Sequence, residues 1–215
     1  AVRKWVDKGY TFERHNSIVR EGGFSRAAWT ELAELGLCGL YISEDHGGMG
    51  MGPTEGMLAM EELGRGIVME PLAHALIAGG VFSGYAPADV QAEWLPKVAS
   101  GEALIVLAHQ ERKARYQLDK CEAKATPAQA GWTLTATKSI VPAGDQADAY
   151  LVPAMVDGTL AMFLVERNAS GVIAQGYGTQ DGSRAAEVVF DNAAATRVTR
   201  DGLPALEHAV DIGIA

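Results

Sequence analysis

Residues 34–66 read ELGLCGLYISEDHGGMGMGPTEGMLAMEELGRG, and the fold turns on what the glycines between Gly47 and Gly52 are for. Leu40-Tyr41-Ile42 precede them, and a helix that Thr54 can cap follows. A strand, a glycine loop and a helix N-terminus would together hold a dinucleotide pyrophosphate on backbone N–H groups. The spacing is not G-x-G-x-x-G, however, and no Lys-Ser/Thr pair follows as in a P-loop. Downstream, Pro71 and LAHALIAGGVF give another helical pattern, where a βαβ unit needs a second strand ending in an acidic residue. The glycines therefore read as backbone geometry, a turn between helices. His46 with Glu44 and Asp45 is no better as a metal set, because adjacent residues rarely converge on one ion; a turn capped by Asp45 is the expectation.

Outward from that turn the period is helical from Ala1 to about Ser100. Val2, Trp5 and Val6 open a helix, and Ser25 caps another that carries Trp29, Leu32 and Leu35 on one face and ends at Gly36. Thr54 is expected to open the next, and Pro71 starts one that is apolar on nearly every side, hence buried. Asp89 to Val98 gives a short last one. After Gly101 the period becomes two. Leu104–Leu107, Trp132–Thr137, Ala149–Val152, Leu160–Val165, Gly171–Ile173 and Ala186–Phe190 read as strands, with Asp157-Gly158 and Asp181-Gly182-Ser183 as turns. Short strands at this spacing suggest a small antiparallel barrel or sandwich. From Asp201 the helical period returns, with Leu206, Val210 and Ile214 on a face that wants a partner, and both chain ends look cut. The expected fold class is α+β and multidomain: an N-terminal helical domain over 1–101, a middle β domain over 102–200, and the start of a truncated C-terminal helical domain over 201–215.

The chain's 215 residues can bury a full core. A net charge of −9 argues against nucleic acid as a partner, since no basic stripe exists to release counterions, yet leaves room for an anionic small ligand in a local pocket. Cys38 and Cys121 lie far apart with no C-x-x-C, as expected of reduced thiols in a cytoplasmic protein. No run is long enough to span a bilayer.

Helical block, β block, helical block is the order of the acyl-CoA dehydrogenases, and local strings resemble that family. They are Trp29-x-x-Leu32-x-x-Leu35-Gly36-Leu37, Ile42-Ser43-Glu44-Asp45-His46-Gly47-Gly48-Met49-Gly50, Glu61-Glu62-Leu63-Gly64-Arg65, and Leu95-Pro96-x-x-Ala99-Ser100-Gly101-Glu102. Lys138 with Val141, Gly144 and Ala147-Asp148 resembles the β-domain segment that lies against the flavin. More narrowly, Ala108 to Tyr116, Gly176 to Gly182 and Arg184 to Val188 resemble the pimeloyl-CoA dehydrogenase small subunits, which pair with a larger homologous subunit.

The resemblance implies an FAD-dependent oxidoreductase that desaturates an acyl-CoA thioester, passing the β-hydrogen to FAD and electrons onward to an acceptor. It implies acyl-CoA as substrate and a homo- or hetero-oligomer as the assembly. The family's carboxylate base comes from the C-terminal helical domain, so no catalytic residue is expected among these 215, and the fragment alone should be inactive. The cofactor-facing positions are His109, Gln110, Ile140 and Pro142; Arg115 and Tyr116 fall at substrate positions; no metal ligands are expected. The motifs depart from the family, with Gln110-Glu111-Arg112 for its Thr-Glu-Pro and Ile140-Val141-Pro142 for its Trp-x-Thr/Ser. Pro142 has no amide hydrogen. Losing two or three hydrogen bonds at about 1 kcal/mol each weakens FAD binding by roughly one to two orders of magnitude. A second expectation follows, a non-catalytic structural subunit whose homologous partner holds the chemistry. His109 reads either as a flavin donor or as a strand-end histidine with a backbone partner. Arg112, Lys113 and Arg115 read either as phosphate ligands or as a solvated turn.

Overall fold

The computed structural model describes residues 1–114 and 116–214. Six α-helices come first: α1 (Val2–Gly9), α2 (Phe12–Arg20), α3 (Arg26–Glu34), α4 (Pro53–Arg65), α5 (Leu72–Tyr85) and α6 (Ala88–Ala99). Seven strands follow, β1 (Ile105–Leu107), β2 (Lys124–Pro127), β3 (Trp132–Pro142), β4 (Ala149–Val156), β5 (Thr159–Glu166), β6 (Val172–Gly178) and β7 (Arg184–Thr199), and then α7 (Gly202–Ile214).

The stretch over residues 34–66 contains no strand. Leu37–Gly39 and Glu44–His46 are short 3-10 turns. The glycine loop folds back on them, with Gly48 N–H donating to Ser43 O, Met49 N–H to Gly39 O, Gly50 N–H to Ile42 O and Met51 N–H to Leu40 O, at 2.8–3.0 Å. Those are the amides a phosphate would need, and all are engaged within the loop. Two local expectations need correction. Thr54 does not cap α4: Gly52 is the N-cap, Pro53 takes the first helical position, and Glu55 Oε2 accepts from Gly52 N–H at 3.0 Å. Nor does Asp45 cap its turn, which starts after Ser43 with no side-chain cap.

The sheet corrects the all-antiparallel expectation. β1 and β2 each pair parallel to β4, while β3, β5, β6 and β7 pair antiparallel with their neighbours. Pairing runs β4–β2–β3–β7–β5 and returns from β5 to β4, with β1 on β4 and β6 on β7 as outliers. β1 is buried along its whole length and β4 over its first six residues, as befits parallel-paired strands covered on both faces. α5 lies over β1, and one continuous core takes in Trp29, Ile42, Phe82 and Leu95 from the helices with Tyr150, Phe163 and Phe190 from the strands.

α7 finds its partner within the chain. Gly202, Ala205, Leu206 and Ala209 form its buried face, and it packs on α5 where Gly80 leaves room for Ile212. The face expected to carry Ile214 is therefore displaced, and Ile214 is exposed. α2 and β2 were not anticipated. α2 is announced only by Thr11, whose hydroxyl accepts from Arg14 N–H at 3.3 Å, and β2 buries only Ala125 of its four residues.

Two contacts fix the helices against the strands near the region of interest. Trp29 Nε1–H donates to Gly101 O at 2.8 Å in the core, and Arg184 reaches from β7 to Gly22 O at 2.9 Å. Among the described residues no helix is long and apolar enough to cross a membrane.

Candidate functional site

His109 and Gln110 continue the chain just beyond β1, and the long strand β3 brings Ile140 and Pro142 beside them. The junction is one hydrogen bond, Ser139 N–H to Gln110 O at 2.9 Å. It forms at an irregularity in the β3–β7 ladder, where pairing shifts between Lys138 and Val141. There Ile140 is held at φ +51° with its side chain exposed. A β-branched residue in left-handed backbone is strained, and such strain persists where a site requires it. Among the described residues the N–H groups of His109 and Gln110 have no intrachain acceptor. Two adjacent free donors and an exposed apolar side chain thus share one edge.

Lys138, within the segment that resembles a flavin-facing one, turns its own side chain inward. Its side chain is completely buried, with Nζ 2.7 Å from Glu111 Oε1 and 3.0 Å from Pro153 O. Glu111 also accepts from Glu122 N–H at 2.6 Å and Ala123 N–H at 3.1 Å. Burial pushes its carboxyl up, but the Lys138 charge and hydrogen bond, with the two amides, hold it below the usual carboxylate range. The ion pair is therefore a pin beneath the site: it fixes the 111–123 loop to β3 and so sets where His109 and Gln110 stand.

His109 is half-buried, and burial followed by the Lys138 charge lowers its imidazole pKa. It has a neighbour the sequence reading missed. His74, in the first turn of α5, is pushed down to about 4 by burial and then by His109. Its Nδ1 is buried without a protein partner. The signal available in the sequence was a lone histidine in an otherwise apolar, buried helix. His74 also joins Pro142 and Ala143 in lining a cavity of about 200 Å³ between the helices and the sheet, so the cavity borders the β3 segment that carries Ile140.

A half-buried imidazole held neutral, with its Nδ1 sealed from solvent, makes folding pH-dependent. The pKa is 6.5 unfolded and about 4 folded, so the contribution is whole above 6.5 and is lost as pH falls toward 4. Replacing His74 with phenylalanine should remove the roughly 2 kcal/mol of acid destabilisation that this shift implies at about pH 5. Urea midpoints at pH 7.5 and 5 for both proteins measure it, and parallel shifts would exclude the effect.

The basic loop meets this edge only at Ser139. Arg112 and Lys113 line a cavity of about 550 Å³ with Glu111 and Ser139. Arg112 lies 3.4 Å from half-buried Glu187, which also accepts from Ser139 Oγ at 3.2 Å, and Lys113 lies 3.0 Å from exposed Glu122. Tyr116 is 93% exposed and shares no hydrogen bond or cavity with His109, Gln110, Ile140 or Pro142 among the described residues. The Arg115 expectation lies outside the described residues. Both cysteines are free thiols, Cys38 buried and Cys121 half-buried. Among the described residues no three His, Cys, Asp or Glu side chains gather where a metal could sit.

Residues 1–102 match the family described as "Acyl-CoA dehydrogenase, N-terminal domain". The acyl-CoA dehydrogenase FadE27 of Mycobacterium tuberculosis is 28% identical over 169 residues, covering 78% of this chain and 44% of its own. The solved "Tcur3481-Tcur3483 steroid ACAD G363A variant" superposes with a TM-score of 0.88 at 27% identity, over 99% of this chain and 58% of that one. A glutaryl-CoA dehydrogenase of Mycobacterium smegmatis solved in complex with FADH2 shares the fold, with a TM-score of 0.83 at 21% identity over 99% of this chain and 57% of that one. The chain spans about half the length of the curated relatives it matches.

Proposed function

We propose that this chain, whose residues 1–102 match the acyl-CoA dehydrogenase N-terminal domain family, is a member of that family and forms the helical and β portion of an FAD-dependent subunit acting on an acyl-CoA thioester. The observation that carries this reading is the edge where His109 and Gln110, whose N–H groups have no acceptor among the described residues, are joined through Ser139 N–H to Gln110 O to the segment bearing exposed Ile140. These residues fit a flavin: two amides suit ring carbonyl oxygens, and Ile140 offers an apolar surface to a ring face. FAD, when bound, supplies the two-electron oxidation that desaturates the acyl group. The chain's own part is to hold and orient the cofactor and to keep water from the face that Ile140 covers. Glu111 and Lys138 act through position, fixing the donors that His109 and Gln110 present. No residue of this chain is assigned as the base.

A second reading is favoured by one specific set of observations. Pro142 has no N–H to offer, and the heads of Arg112 and Lys113 already meet Glu187 and Glu122. On that reading the chain is a structural partner of a larger homologous subunit, the hetero-oligomeric arrangement of the pimeloyl-CoA dehydrogenase small subunits it resembles. Flavin titration of the chain alone and co-expressed with such a subunit separates the two. Flavin retained only in the complex is the expected result, and stoichiometric flavin on the chain alone would overturn partner dependence. Within a flavin-retaining preparation, Ile140→Glu should cut FAD affinity by about tenfold or more with little loss of Tm, because its side chain is exposed. Unchanged affinity would remove Ile140 from the site.

A further inference from the structure

A further cavity, of about 940 Å³, opens at the other end of β3 from Ile140. Its volume lies in the range of small-molecule sites, roughly 300–1,000 Å³. Trp132 lines it, and at ~3.3 Å of strand per residue Ile140 stands roughly 25 Å away. Arg197 of β7 and Arg200 just after it line the same groove. Neither guanidinium has a carboxylate partner among the described residues, although the chain carries a net charge of −9. By contrast Arg112, Lys113 and Arg184, which line two other cavities, each meet a carboxylate. The Arg197 guanidinium lies over the Trp132 ring, 4.9 Å from its centroid, and Trp132 packs in turn on Phe163 at 5.5 Å. Stacking orients the guanidinium fork and leaves its in-plane N–H groups for an acceptor. Buried Trp94, Leu164 and Val198 supply apolar wall.

We infer that this groove is a ligand site separate from the flavin edge, and that it takes a small phosphate monoester carried on an apolar body. Two unpaired guanidiniums match the charge of one phosphate, close to −2 at neutral pH, and can hold its oxygens bidentately. The apolar wall gains from a body that leaves water. The surrounding carboxylates set the upper limit on charge. Glu93, Glu166 and Asp201 all line the groove and are exposed. Lys97 answers Glu93 at 3.6 Å, and Asp201 stands just before α7, where the helix N-terminus offsets part of its charge. A second phosphate would find no further cation and would face these acids, so polyphosphates are refused. Coenzyme A and FAD, each carrying a pyrophosphate, fall in the refused class. The site therefore goes beyond the acyl-CoA reading and does not depend on it.

Small probes test this on the chain itself, without flavin or turnover. Phenyl phosphate, phenol, inorganic phosphate and pyrophosphate are titrated at pH 7.5 while the Trp132 indole N–H resonance, assigned by its loss in Trp132→Phe, is followed by NMR. Phenyl phosphate should move it and bind at least roughly tenfold more tightly than any of the other three. Arg197→Gln and Arg200→Gln should each weaken phenyl phosphate by about tenfold with little loss of Tm, since neither side chain holds an ion pair. Arg197→Lys, which keeps the charge and loses the fork, should recover only part of that affinity. Ile140→Glu, at the far end of β3, should leave phenyl phosphate binding as in the wild type. Phenol binding as tightly as phenyl phosphate, pyrophosphate binding more tightly, or an affinity that survives both arginine changes would overturn the inference. So would loss of phenyl phosphate in Ile140→Glu, which would merge the groove with the flavin edge.

Discussion

Lys138→Met should destabilise the protein by about 3–5 kcal/mol, a fall of roughly 10 °C in Tm for a chain of this size. The substitution roughly conserves volume, so packing is not the cause. What remains is Glu111, 7% exposed, with its charge facing an apolar interior. A charge left unpaired by removal of its partner is among the most damaging single changes. The double change Glu111→Gln with Lys138→Met should recover part of the loss: it removes the unpaired charge, but the single amide oxygen keeps only one of the two N–H bonds, which in the wild type run from Glu122 to Oε2 and from Ala123 to Oε1. The pH dependence has a defined sign. In the wild type the Glu111 carboxyl is depressed in the folded state, so its contribution is whole above the ordinary carboxylate pKa of 4.5 and is lost as pH falls through the depressed value. In Lys138→Met the same carboxyl is raised by burial, so the variant recovers as acid protonates it. The two stability curves should lie far apart at neutral pH and converge below about pH 5. A constant gap across that range would show that the cost is steric and that the pair is not what fixes the 111–123 loop.

The same pair marks how far the sequence was legible. Lys138 stands in a motif resembling a flavin-facing segment, and position in a motif says nothing about which way a side chain turns. Only the strand register, with Lys138 inward and Ile140 outward across a shift in the ladder, decides that. Helices and strands with clean periods were readable: Ser25 does cap α3, accepting from Ala28 N–H at 3.2 Å, and the alternation around Trp132–Thr137 lies within β3. What escaped was set by contacts distant in sequence. β2 has one buried residue and exists because Lys124 to Pro127 pair with Trp132 to Thr135. His74 was invisible as a site residue because α5 is apolar on all sides, and only the fold shows it near His109 and Pro142. The partner α7 requires is α5, more than a hundred residues earlier in the chain, which no local pattern can reveal.

Gly48→Ala should cost about 3 kcal/mol or more, although no unusual backbone angle is involved. A Cβ at residue 48 would sit 2.1 Å from Ile42 O, 2.5 Å from Ile42 C and 2.6 Å from Gly39 O. Neither carbonyl can yield freely. Ile42 O accepts from Gly50 N–H at 2.8 Å, and Gly39 O accepts from Met49 N–H at 2.9 Å and from Ile42 N–H at 3.1 Å. Moving them enough to admit a methyl group breaks bonds worth about 1 kcal/mol each and unseats Ile42 from the core. Gly47 is the control, because it is glycine for the other reason: φ is +79° and nothing lies within 4 Å of its Cβ position. Gly47→Ala should cost only about 1–2 kcal/mol, the ordinary left-handed penalty. Gly47→Asn should cost less, since asparagine tolerates that conformation. A loop built to cradle phosphate would give a different ranking. Alanine at position 48 would then impair ligand binding with stability nearly intact, because a ligand's approach and not the chain's own carbonyls would fill the space. Chemical denaturation of Gly48→Ala, Gly47→Ala and Gly47→Asn decides it, and a Gly48→Ala variant as stable as the wild type would return the run at 47–52 to the list of candidate ligand loops.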